Sequence, residues 1–241
     1  MHGILMEAFA TIGQTNGQGL NKRALHPVIN DLCFQNPVMT ASYSPGDCAH
    51  GVGHALMFLT NYQIPEALET CTEFEKSSMI YYCATGVYME YVTENDPTDA
   101  KIKETFYPCD RYDYSAACAR YKMVHVVRRH YEARRPLASL KKQCATLAHP
   151  FRLGCFHGLG NAHMPLIVAG KVQLRQVCLG LQEDEEMMCI EGAMERMAKF
   201  HEKRASQVCE GLQESNKTTC LTAVRQKMYH MDKDLSLYLT K

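Results

Sequence analysis

A chain of 241 residues is long enough to bury a core, and 46% hydrophobic with 22% charged residues describes a globular protein rather than a disordered one. Lys plus Arg and Asp plus Glu balance at 26 each, so net charge points to neither a nucleic-acid nor a membrane partner. No apolar run approaches the roughly eighteen residues of a membrane span, and Met1-His2-Gly3 lacks the basic start and cleavage site of a signal peptide.

The opening Met1-His2-Gly3-Ile4-Leu5-Met6-Glu7 reads as the inside of a repeat. Set on Cys83-Ala84-Thr85-Gly86-Val87-Tyr88-Met89-Glu90, it matches at Gly3 with Gly86, Met6 with Met89 and Glu7 with Glu90. The cysteine of that copy would precede Met1, so the expectation is a fragment, or an incomplete gene model, whose upstream repeat and export signal are missing. Residues 1–29 are then the remnant of that repeat plus a loop, because Gly13 to Gly19 is rich in residues that break helices.

From residue 30 onward twelve cysteines set the rhythm. Taken in order they form six pairs, whose members are 15, 12, 9, 11, 11 and 11 positions apart. A period of roughly 35 residues is the signature of a helix-turn-helix array. No Cys-x-x-Cys knuckle suggests structural zinc. One local geometry used six times is expected to close the same way each time: Cys33–Cys48, Cys71–Cys83, Cys109–Cys118, Cys144–Cys155, Cys178–Cys189 and Cys209–Cys220. Such bonds imply a secreted, periplasmic or lumenal address. The sequon Asn216-Lys217-Thr218 agrees weakly with that address.

Each unit reads alike. A helix is expected after the second cysteine of each pair, over residues 49–62, 84–92, 119–132, 156–168, 190–201 and 221–229. A short turn and a second helix lead to the next cysteine, as in Ile64-Pro65-Glu66-Ala67-Leu68-Glu69-Thr70-Cys71, where Pro65 suits a first helical turn. Pro136 introduces residues 137–144 in the same way. No convincing strand is present, and the fold class is all-α. Gly51, Gly86, Gly158 and Gly192 all follow a cysteine by three places, so three units are repeated once, over about 33–143 and 144–241. Stacked hairpins of this kind build a curved solenoid with a concave face.

The segments Cys71 to Gly86 and Cys178 to Gly192, with Ala67-Leu68 before the first, resemble secreted bacterial cysteine-rich helical repeats. Those are cousins of the tetratricopeptide repeat in which a disulfide joins one hairpin to the next. The likeness covers most of residues 30–225 as a cysteine rhythm plus glycine. It implies an α/α solenoid and a protein- or ligand-binding role. The chain departs from that pattern in its drifting repeat length, its glycine one residue early, and the missing Gly-rich turn between helices.

Cys48-Ala49-His50-Gly51-Val52-Gly53-His54 returns as Cys155-Phe156-His157-Gly158-Leu159-Gly160-Asn161. Glycine inside a helix costs about 1 kcal/mol relative to alanine, so Gly51, Gly53, Gly158 and Gly160 call for a close approach. Either a neighbouring helix or a ligand fills that role. His50 and His54, four apart, share one helix face as two metal-binding histidines would. A site drawing on His50, His54, His157 and Glu90 or Glu191 would suit zinc or another first-row divalent metal. His163 is a further candidate, although six residues carry it about 240° around the helix from His157.

Two charge runs stand out. Arg120, Lys122, Arg128, Arg129, Arg134, Arg135, Lys141 and Lys142 lie close together, and Glu183, Asp184, Glu185, Glu186, Glu191 and Glu195 do likewise. Two solvated faces are the default reading, with His125 and His130 on the basic one; an acidic partner on that face is the alternative. Tyr81, Tyr82, Tyr88 and Tyr91 read as core. There is no serine nucleophile elbow and no phosphate loop. The leading functional expectation is an extracytoplasmic scaffold for a protein, peptide or glycan, and the alternative is a metal-binding protein or metal-dependent enzyme built on the His-Gly motif.

Overall fold

The computed structural model describes residues 22–94 and 106–226, so the expectations placed on the opening repeat and on the Gly13–Gly19 loop lie outside the described residues. Twelve helices and no strand fill the described residues: α1 (Lys22–Phe34), α2 (Pro37–Ser42), α3 (Pro45–Leu59), α4 (Ile64–Cys71), α5 (Ser77–Glu94), α6 (Ser115–Glu132), α7 (Leu137–Ala145), α8 (Phe151–Val168), α9 (Leu174–Cys178), α10 (Glu183–Phe200), α11 (Glu202–Glu210) and α12 (Glu214–Gln226). Residues up to Cys118 form one compact unit and residues from Ala119 a second. The duplication expected from the sequence would divide the chain near residue 143, whereas the two compact units divide within α6.

The short helices over 64–71 and 137–145 stand where Pro65 and Pro136 placed them. The long helices differ from expectation at their starts. Each begins before its cysteine and carries that cysteine within its first two turns. The reason is capping chemistry upstream. Ser44 caps α3 by accepting the Asp47 N–H on its Oγ at 3.1 Å, with Pro45 in the first turn. At α10 the Gln182 N–H donates to the Glu185 carboxylate at 3.2 Å, and Glu183, Asp184, Glu185 and Glu186 all lie in the first turn. Four acids there oppose the positive end of the helix dipole. Much of the acidic run is therefore a helix N-terminus rather than a solvated face. The sequon lies in the first turn of α12, where Asn216 Nδ2 donates to Glu186 at 3.2 Å.

All six disulfides join the pairs that the spacing gives, with Cα atoms 5.5, 5.7, 5.2, 5.5, 5.3 and 5.5 Å apart along the chain. Cys33, Cys71, Cys144, Cys178 and Cys209 each end or nearly end a helix, and each bond ties that end to the first turns of the next long helix. Six bonds and no free cysteine belong to an oxidising compartment. No described helix is long and apolar enough to cross a membrane.

The two copies of the His-Gly motif lie on α3 and α8. Every residue from Cys48 to Met57 is buried, and so is every residue from Leu153 to Asn161. A helix covered on all sides has no polar face to spare. In the first unit α3 packs on α5, with His50 against Thr85 and His54 against Glu90, so the two helices advance in the same direction. Their backbones nearly touch. A Cβ on Gly53 would stand 2.0 Å from the Cys83 carbonyl oxygen, and one on Gly86 2.0 Å from that of His50. The second unit repeats the arrangement: a Cβ on Gly160 would stand 1.9 Å from the Cys189 carbonyl oxygen, and one on Gly192 1.9 Å from that of His157. Gly158 meets Ala119 and Met123 of α6, and Gly51 is buried within α3. A neighbouring helix, not a ligand, accounts for the close approach at Gly53, Gly158 and Gly160.

Substituting Gly160→Ala should therefore cost about 3 kcal/mol or more, because backbone on a covalently tied helix has to give way. Gly211→Ala, at a helix end with its nearest neighbour 3.6 Å away, should change stability by less than about 1 kcal/mol. Thermal melts of the two oxidised variants read the difference; equal melting points would mean that α8 and α10 are not in backbone contact.

The basic run is not one solvated face either. Arg120 and Lys122 are 3% and 1% exposed, and His130 is buried with its Nε2 at 2.8 Å from the Pro136 carbonyl. Lys141 is half-buried and donates to the Leu179 carbonyl at 3.1 Å. Arg128, Arg134, Arg135 and Lys142 are exposed. His125 is half-buried, and burial together with Arg128, Lys122 and Arg129 holds its pKa below the ordinary value. Tyr81, Tyr82 and Tyr88 are fully buried, and the Tyr88 hydroxyl donates to the Asp113 carbonyl at 2.5 Å.

Candidate functional site

The residue two places after the second cysteine of each pair is polar in every unit: His50, Thr85, Arg120, His157, Glu191 and Thr222. Because each cysteine occupies the same part of its long helix, these positions come into register where long helices pack. Five of them join two clusters, His50 with Thr85 in the first unit and Arg120, His157 and Glu191 in the second, whereas Thr222 accepts from the exposed Arg225.

In the first unit, His50 Nδ1 lies 2.8 Å from Thr85 Oγ1, and His54 Nδ1 lies 2.5 Å from Glu90 Oε2. The two Nε2 atoms face one another at 3.1 Å, with the rings edge to face. His50, His54 and Glu90 are 7%, 3% and 6% exposed. The i, i+4 spacing thus brings the rings together as expected. Thr85, which sequence reasoning passed over, fixes a tautomer. Its one hydroxyl proton goes to the Tyr82 carbonyl at 2.6 Å, so its oxygen must accept from His50 Nδ1–H.

In the second unit, Asn161 stands where His54 does in the first. Its Nδ2 donates to the Arg120 carbonyl at 3.4 Å. His157 Nε2 lies 3.2 Å from Glu195 Oε2 and 3.7 Å from Glu191 Oε1. One ligand-type atom from each of His157, Glu191 and Glu195 falls within 4.8 Å of the others, a separation that a metal ion could bridge. The Arg120 guanidinium, however, is already ion-paired and hydrogen-bonded to Glu195 Oε2. A fixed cation therefore fills the role that a metal would have there. Burial, with Arg120 adding to it, holds the His157 pKa below the ordinary value against the opposing pull of Glu195 and Glu191. Its imidazole is neutral near pH 7.

No protein-family model matches the chain, and no curated protein or solved structure is similar to it. The geometry therefore stands alone.

His163 does not join the cluster. Its Nδ1 bonds the Leu159 carbonyl one turn back at 2.8 Å, and its Nε2 bonds the Tyr131 hydroxyl at 2.8 Å. The rotation along the helix that set it apart in sequence sends it to another neighbour. Arg120 and Glu195 are the cluster members that sequence reading left in charge runs. The register of positions after each cysteine was the signal for Arg120, and four-residue spacing from Glu191 was the signal for Glu195.

Proposed function

We propose that this protein is an exported α/α solenoid, clamped by disulfides, that serves as a binding scaffold for a protein, peptide or glycan ligand. The observation that carries this reading is a groove of about 440 Å³ in the second unit, between the turn that follows α8 and the helices α9 and α11. Val172, Leu174, Val208 and Leu212 supply apolar lining, and Arg175 and Arg204 supply positive charge. Apolar surface beside two guanidinium groups suits a peptide segment with a bulky apolar side chain next to a carboxylate. The resemblance to secreted cysteine-rich helical repeats supports the same role, and a covalently tied repeat presents such a groove with little loss of entropy on binding.

Fluorescence anisotropy of labelled acidic–apolar peptides with the oxidised full chain tests this. Binding should weaken with salt and fall at least tenfold in an Arg175→Ala/Arg204→Ala variant. Equal affinity in the double variant, or no binding across a peptide array, would remove the groove as the ligand site.

A further inference from the structure

We propose that the exposed end of α6 and the turn after it bind a sulfated polysaccharide through Arg128, Arg134 and Arg135, with Tyr131 as a platform for a sugar ring. This surface shares no residue with the groove. Its evidence begins with a turn. Three long helices close with the same pair of backbone hydrogen bonds. Asn61 and Tyr62 donate to the Phe58 and Met57 carbonyls after α3, Arg134 and Arg135 to those of Tyr131 and His130 after α6, and Gly170 and Lys171 to those of Ile167 and Leu166 after α8. The first residue of each pair holds a left-handed backbone, at φ 49°, 52° and 69°. Glycine suits that conformation and asparagine tolerates it, whereas a long side chain is strained there. Backbone geometry therefore does not account for an arginine at position 134, and its side chain has to.

The surrounding charge points the same way. Residues 128–135 carry four arginines against one acid, Glu132, in a chain whose charges otherwise balance. Arg128, Arg134 and Arg135 are exposed and enter no ion pair among the described residues; the Arg128 guanidinium meets His125 Nδ1 at 3.3 Å. Its like charge adds to burial in lowering the pKa of both His125 and Arg129, against the opposing pull of Glu132 on Arg129. The positive field is thus not cancelled within the protein. Nor does the helix dipole call for it, because Arg129 and His130 already lie in the last turn of α6 while Arg134 and Arg135 follow its end. Val124, Arg128 and Tyr131, at steps of four and three, share one face of α6. Val124 and Tyr131 are 41% and 42% exposed. The Tyr131 hydroxyl is bonded to His163 Nε2 at 2.8 Å, which holds its ring ready for the C–H face of a pyranose. The planar fork of arginine pairs its N–H groups with two oxygens of one anion. Six disulfides belong to an oxidising compartment, where a glycan is the polyanion at hand.

Retention of the oxidised full chain on immobilised heparin, compared with a sulfonate cation exchanger at neutral pH, tests this, with affinity for heparin then measured in solution. With 26 basic and 26 acidic residues, the chain should leave the exchanger at low salt and leave heparin at markedly higher salt. Desulfated heparin should not bind. Arg134→Gly separates binding from folding. Glycine fits the left-handed backbone, so the melting temperature should equal or exceed that of the wild type, while heparin affinity falls about threefold or more. Arg128→Gln/Arg134→Gly/Arg135→Gln should lose about 30-fold, with a shallower dependence on salt. Arg175→Ala/Arg204→Ala should leave heparin affinity unchanged, so the groove and this surface are read separately. Elution from heparin at the salt that clears the exchanger, equal affinity in the triple variant, loss of affinity in the groove variant alone, or tighter binding to duplex DNA or anionic vesicles than to heparin would each overturn the proposal.

Discussion

Treated with excess reductant at neutral pH, the protein should lose its cooperative fold, with far-UV ellipticity falling toward that of an unfolded chain at 25 °C. Each of the six bonds closes a loop of 9 to 15 residues. A loop of that size contributes about 3 kcal/mol in the chain-entropy account. Even with substantial discounts for residual structure in the reduced chain, six such contributions rival the 5–15 kcal/mol that stabilise an ordinary domain. Local position sharpens the expectation. The bonds tie short helices, five to nine residues long at α4, α7, α9 and α11, that are below the length at which a helix is stable alone. Removing one bond, as in Cys178→Ala/Cys189→Ala, should cost about 3 kcal/mol and release α9 first, seen as fast amide exchange over residues 174–178. A reduced protein that melts like the oxidised one would show that the helical contacts suffice and that the bonds are incidental.

Sequence reading reached the covalent framework because cysteine positions are one-dimensional information. Fixed spacings, repeated, constrain which partners can meet. The short helices were legible from Pro65 and Pro136 for the same kind of reason, since proline acts on its own neighbours. The starts of the long helices were not, because their caps, such as Ser44, lie upstream of the cysteines that set the rhythm, and the acids before Cys189 read as a charge run. Charge runs misled further. Arg120 and Lys122 sit among exposed basic residues in sequence, yet a helix turns each residue by 100° from the last. Two members of one run can therefore point into the core while others point into water. The glycines were the deepest clue. Gly53 and Gly160 bring two helix backbones into contact, and side chains flanking such a contact, His50 with Thr85 and His157 with Glu191, are pressed together and buried. The polar clusters are thus a consequence of the close approach, which requires three-dimensional pairing of helices to be seen.

Arg120→Met should be the most damaging single substitution outside the cysteines and glycines, at about 3–5 kcal/mol near pH 7.5, because it leaves the Glu195 carboxylate buried without its cation. Both side chains are almost fully buried, at 3% and 2% exposure, so solvent cannot take over the role. Replacing both partners, as Arg120→Met/Glu195→Leu, removes the stranded charge together with its partner and should recover most of that loss. His157 makes the pH dependence diagnostic. In the wild type its folded pKa lies below the ordinary value of about 6.5, chiefly through burial and then through Arg120. A group lowered in this way contributes stability that is complete above the unfolded value and is lost as pH falls through the folded one. In Arg120→Met the lowering influence of the guanidinium is gone while Glu195, 3.2 Å from His157 Nε2, remains to favour the imidazolium. The folded pKa should then move up toward the ordinary value, because burial still lowers it but the guanidinium no longer does, so the variant should lose less stability than the wild type as pH falls. Urea denaturation at pH 7.5 and pH 5.5 should therefore show wild type losing stability on acidification and the variant losing less, so that its deficit narrows. A variant within about 1 kcal/mol of wild type at pH 7.5, or one that loses as much stability on acidification as the wild type does, would mean that Arg120 does not govern the charge of this cluster.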